Sequence, residues 1–126
     1  MSLVTLAGAV FCLLALVVEL FQMALALGAP LGHLAMGGRW TGRLPVALRA
    51  GAVIQGGVMV AMARVAAGAS GLLVPVGPGW LIWVAVAVMG LSTLMNNITP
   101  SRPERRLWGP VTVIMFLALI LVAVRA

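Results

Sequence analysis

From Leu3 to Leu27 the chain holds a single charged residue, Glu19. At ~1.5 Å per residue, a helix of that length crosses a hydrocarbon core of ~30 Å with some tilt. Three more apolar runs follow, at about 47–67, 80–97 and 107–124, and the connections between them carry most of the charge. Composition narrows how such runs can be housed. Residues are 63% hydrophobic and 8% charged, with a mean hydropathy of +1.21. A soluble core could not cover that much apolar surface, whereas lipid is itself the apolar solvent. The sequence therefore predicts an all-α integral membrane four-helix bundle, one domain over residues 1–126, with a basic interfacial segment between spans 1 and 2.

Each connection has its own chemistry. Gly28, Pro30 and Gly32 stop the first span, and Leu31, Leu34, Met36 and Trp40 suit a segment lying at the interface, with a short helix around His33. Gly68 to Gly79 is a tight neutral loop holding Pro75 and Pro78, after which Trp80 and Trp83 anchor the third span. In the last connection, Ser101 and Glu104 form a capping-box pattern and Pro103 falls in the first helical turn, so helix 4 starts near Arg102 and enters lipid at Trp108. Pro110 is placed to kink it there. Ala24-Leu25-Ala26 has the look of a signal-peptide cleavage site. No arginine precedes the apolar run, however, and the run is long and carries Glu19, so it reads as a retained span.

Charge sets the orientation. Every basic residue is arginine, and the formal charge is +6. Arg39, Arg43, Arg49, Arg102, Arg105 and Arg106 fall on the side of the first and third connections, against Arg64 and Arg125 on the other. The positive-inside rule then puts both connections in the cytoplasm and both termini outside. Arginines at span ends meet anionic inner-leaflet lipid, which argues against nucleic acid as the partner. Span 2 carries small-x-x-x-small spacings through Ala47, Gly51, Ala52, Gly56, Gly57 and Ala61, which suit the bundle centre or a homo-oligomer seam. The two halves share no motif, so an inverted-repeat transporter has little support.

The polar residues at membrane depth gather on the cytoplasmic side. Glu19 in span 1 and Gln55 in span 2 lie roughly 12 Å from that end at the standard helical rise. Gln22 shares the face of Glu19, and Ser92, Thr93, Asn96 and Thr112 approach the same level. An ionisable group in a span is by default a functional candidate, and lipid penalises its charged form, so Glu19 can bind a solute or carry a proton. The alternative is structural, with Glu19 fixing helix register through Gln55 and Asn96.

Other chemistries find little support. Cys12 is the only cysteine and His33 the only histidine, which leaves no disulfide, no usual metal set and no cofactor; His33 remains a possible proton relay. Residues Gly37 to Arg43 have the G-x-x-x-x-G spacing of a phosphate loop, but Arg43-Leu44 stands where Lys and Ser/Thr are required. Glycine-exposed N–H groups with Arg39, Arg43, Arg105 and Arg106 suit a lipid phosphate instead. No nucleophile and base lie together, so an enzyme is disfavoured.

An acid late in the first of four spans resembles the small multidrug resistance exporters, which implies exchange of protons for cations at Glu19. The likeness stops there: the first connection here is long and basic, and the third span lacks their aromatic glycine motif. The segments GHLAMGG, GRLP and PSRPERRLWGP resemble an uncharacterised group of small four-span membrane proteins of high-GC bacteria, implying a bacterial cytoplasmic membrane but no activity. Two functions follow from the residues. One is a carrier or channel for a small molecule or ion, with Glu19 as the binding or coupling acid; the other is a non-catalytic lipid-binding or accessory subunit whose polar layer only specifies packing.

Overall fold

The computed structural model describes residues 1–126 and contains four helices: α1 (Leu3–Ala26), α2 (Val46–Ala69), α3 (Leu81–Ile98) and α4 (Arg102–Arg125). All four are long and apolar enough to cross a membrane. The protein is an all-α membrane bundle.

The helix ends follow from local chemistry. Ser2 starts α1 by accepting a hydrogen bond from the Thr5 N–H at 3.1 Å, which satisfies one of the free first-turn donors. At the other end the chain turns through Gly28 at φ +93°, a left-handed conformation that favours glycine. Pro45 precedes α2. Ser101 caps α4, its Oγ accepting from Glu104 N–H at 3.3 Å. Only half of the expected capping box forms. The Ser101 N–H goes to Thr99 Oγ1, because the Glu104 carboxylate is engaged elsewhere. The interfacial segment is not an α-helix either. It makes two 3-10 turns, Gly32–Leu34 and Met36–Gly38, since left-handed residues at Met36, Gly37 and Gly38 stop an α-helix from propagating.

Around the bundle α1 packs along α2 and α4, and α3 packs along α4; the seam between α2 and α3 is the loosest of the neighbouring pairs. Span 2 is thus a flank of the bundle, paired mainly with α1. Its Ala52 and Gly56 are buried, whereas Gly57 and Ala61 are exposed.

The apolar interior divides in two. The larger cluster fills the end of the bundle that carries the termini, with Phe11, Met89, Met115, Leu119 and Val122 fully covered. The smaller, built on Leu25, Ala35, Leu44 and Ala52, lies at the arginine-rich end under the 3-10 segment. Exposed leucines and valines such as Leu13, Leu16, Leu20, Val53 and Leu117 coat the outside, as lipid permits.

Candidate functional site

Heptad-like stripes point inward on all four helices, and those of α1, α3 and α4 turn polar at one level. In α1 the stripe runs Phe11, Ala15, Val18 to Gln22; in α2 it runs Ala66, Met62, Met59 to Gly56 and Ala52. In α3 it runs Ile82, Ala85, Met89 to Ser92 and Asn96, and in α4 Val122, Leu119, Met115 to Thr112. Spacings of three and four keep these positions on one helix face. Between the two apolar clusters, therefore, α1, α3 and α4 turn polar residues at least partly inward, while Gln55 stands on the exposed face of α2.

The polar residues do not form one network. Gln22 Nε2 donates to Gln55 Oε1 at 3.0 Å, which joins α1 to α2. Asn96 donates back to Ser92, to its carbonyl at 2.7 Å and its Oγ at 3.3 Å, within α3. Thr93 Oγ1 donates to Met89 O and, at 3.2 Å, to Thr112 O, and Asn97 to Thr93 O and Gly109 O, so these join α3 to α4. The level is split into an α1–α2 pair and an α3–α4 pair, with no hydrogen bond between them. Ser92 and Asn96 share the depth of Glu19 without bonding to it.

Glu19 sits at the seam of α1 and α2 rather than on the inward stripe. Its carboxyl lies against Gly56, where a β-carbon would stand 2.8 Å from Oε1 and 3.1 Å from Oε2. A larger residue there would push the carboxyl aside. Glu19 bonds neither Gln55 nor Asn96; its Oε2 is buried, and no donor of the chain reaches it. The same is true of Gln22 Oε1, one turn along α1. Two acceptors without donors, at membrane depth, make an electronegative spot that suits a cation or a hydrogen-bond donor. A groove of about 210 Å³ leads to Glu19 between Cys12, Ala15, Leu16, Met59, Val60 and Ala63. Leu16 and Val60 are exposed, so the groove opens on the lipid side of the seam.

The arginine-rich end is organised by Glu104. Its carboxylate is buried and accepts from Gly37 N–H at 3.0 Å and Thr99 O–H at 3.3 Å. Ser101 Oγ donates to His33 O at 2.8 Å, and Trp108 Nε1 to Leu34 O at 3.1 Å. Trp108 also stacks at a tilt on Phe21, the ring centroids 4.7 Å apart. His33 thus contributes its carbonyl to this docking. The glycine loop does present an N–H to an anion, but that anion is the chain's own. Arg105 donates to Thr99 O at 2.6 Å and Arg49 to Ala26 O at 3.0 Å, covering helix C-terminal carbonyls. Arg43 folds over Gly28 and Arg39 over the Trp40 ring. Arg39, Arg43, Arg102 and Arg106 remain exposed.

No set of three or more His, Cys, Asp or Glu side chains converges as a metal would require. Sequence reasoning named Gly56 for helix packing and Gly37 for a lipid phosphate, and missed that each receives a carboxylate of the chain itself. No family model, curated protein or solved structure matches the chain.

Proposed function

We propose that the protein is a carrier or channel for a small cationic or hydrogen-bond-donating species, a proton included, with Glu19 as the binding or coupling acid. The observation behind this reading is the pair of buried, donorless oxygens, Glu19 Oε2 and Gln22 Oε1, at the level where the inward stripes of α1, α3 and α4 turn polar. A carboxylate kept only for packing would be expected to find a donor, since a buried charge or polar group without one is costly. The weak α2–α3 seam and the groove beside Gly56 are the two routes by which a solute would reach this level. In this reading the arginine-rich end faces the cytoplasm of a bacterial cell, and copies associate through the exposed Gly57 and Ala61 on α2.

The test is flux in reconstituted vesicles under a proton gradient, with sodium and a small organic ammonium ion as candidate solutes. Glu19→Gln should abolish coupled flux while leaving thermal stability near wild type, because Glu19 makes no hydrogen bond that the substitution would break. Gly56→Ala, which displaces the carboxyl, should reduce flux as well. Flux that survives Glu19→Gln, or none with any of these cations, would sink the proposal.

A second reading is a lipid-binding accessory subunit. Glu104 turns its charge inward, so it neutralises none of Arg39, Arg43, Arg102 and Arg106, and these stay available for anionic head groups. Arg105, held by Thr99 O, contributes less. Loss of association with anionic vesicles in the quadruple Gln variant, with flux absent throughout, is the result that favours this reading.

A further inference from the structure

Met62 and Ala66 lie two and three turns beyond Gln55 on nearly the same face of α2, and both are buried against the rest of the bundle. Gln55 itself is exposed. The bundle therefore opens between these levels. The opening is toward α3, because α2 turns Gly56 to α1 and Val65, on the other side of Gln55, to the start of α3. The facing helix agrees. No residue of α3 beyond Met89 is buried, and Val88 and Met95, which flank Ser92 on the side away from α4, are exposed.

Two polar groups border this open seam with hydrogen-bonding capacity left over. Gln55 Oε1 accepts from Gln22, but Gln55 Nε2 donates to nothing in the chain. Asn96 Nδ2 donates to Ser92, while Asn96 Oδ1 accepts nothing. The two residues stand at one level. Gln22 bonds Gln55, its neighbour Phe21 stacks on Trp108, and the residue after Trp108, Gly109, accepts from Asn97 beside Asn96. Lipid tails can satisfy neither the spare donor nor the spare acceptor. No charge lies on α2 between Arg49 and Arg64 or anywhere on α3, so whatever covers the seam must be neutral and must offer both an acceptor and a donor at this depth.

We infer that a second copy of the chain covers this seam, its α2 lying over the gap between α2 and α3, with Gln55 of each copy donating to Asn96 of the other. The inference rests on the association through α2 proposed above and makes it specific: the contact turns from Gly57 and Ala61 toward Ile54, Val58 and Gln55. The arginines orient every copy alike, so a two-fold axis runs along the membrane normal and each residue keeps its depth in both copies. Such an axis repeats the contact and satisfies all the spare groups together. Gln55 Oε1 meanwhile holds Gln22, one turn from Glu19. The polar level of one copy thus continues into the next.

The experiment uses the full chain, labelled at its N-terminus with a donor or an acceptor dye and reconstituted in liposomes over a range of lipid-to-protein ratios, with energy transfer reading association. Gln55→Leu and Asn96→Leu should each weaken association by about tenfold, because the two-fold removes both bonds at once. Mixing the two variants should restore part of it. A mixed pair keeps one of its two bonds, a gain that neither a folding defect nor the loss of the Gln22 bond would produce. A second arm starts from Cys12→Ala. Gln55→Cys in one copy and Asn96→Cys in another should be joined by a short thiol cross-linker, whereas Leu20→Cys, exposed on α1, should pair with neither. A mixture that associates no better than its parts overturns the inference. Cross-linking through Gly57→Cys alone overturns it too, and leaves the association through the other face of α2 standing. Energy transfer absent at every ratio overturns both, while the Glu19 reading, tested by flux, depends on neither readout.

Discussion

The two ends of the bundle are built on different physics. At the terminal end a large apolar cluster closes around Phe11, Met115, Leu119 and Val122, and hydrogen bonds between elements are few. At the arginine-rich end the apolar cluster is small, and the helices are joined by bonds that depend on direction: Glu104 to Gly37, Ser101 to His33, Trp108 to Leu34 and Arg49 to Ala26. Dispersion packing is tolerant of angle but intolerant of lost volume, while a buried hydrogen bond is the reverse. The contrast places packed volume at one end and a hydrogen-bonded cover at the other, with the Glu19 level between them.

The largest effect should come from the packed end. Phe11 is fully buried, and Phe11→Ala should cost about 3 kcal/mol in denaturant titrations. That is the low side of the ~3–5 kcal/mol found in soluble cores, because lipid removes the transfer part of the cost and leaves the cavity part. Glu104→Ala should come next, at about 2 kcal/mol, since it leaves the Gly37 N–H without its charged acceptor. Its signature differs from that of Phe11→Ala. The 3-10 segment should be released, so that trypsin cuts after Arg39 and Arg43 faster while α1 to α4 stay protected. Equal protection of the segment in both variants would break the contrast. A smaller loss of about 1 kcal/mol is expected for Trp108→Phe, which gives up the bond to Leu34 O and keeps a ring against Phe21.

The same contrast explains what the residues revealed in advance. The helices were legible because span length and hydrophobicity are local properties, and the start of α4 because Ser101, Pro103 and Glu104 sit within one turn. The depth of the polar level was legible as well, since counting residues from a helix end gives distance along the axis. Its azimuth was not read, although the stripe spacings through Gln22, Asn96 and Thr112 carry it. This is why Asn96 seemed available to Glu19 and instead bonds Ser92. The meeting of Glu104 with Gly37 was out of reach, because the two lie 67 positions apart and the contact depends on left-handed turns at Met36 and Gly37 that no periodicity announces. A similar gap hid Gly56, whose small-x-x-x-small spacing fits a helix seam as well as it fits a carboxylate seat.

The smallest effect should be the most informative about function. Gln22 to Gln55 is the one hydrogen bond between two side chains of α1 and α2, and it flanks the seam in which Glu19 sits. Single substitutions to Leu each strand one amide and gain apolar surface suited to lipid, so their effects on stability oppose and should stay within about 0.5 kcal/mol of zero. A double-mutant cycle isolates the pair, and the expected coupling is ~0.6 kcal/mol, typical of interhelical hydrogen bonds in membranes. A bond of that strength opens readily at room temperature, which a seam must do if a solute is to reach Glu19 Oε2. Coupling above ~1.5 kcal/mol would instead make the glutamine pair a bolt holding α1 to α2. The polar level would then be an architectural device, and the carrier reading would lose its moving part.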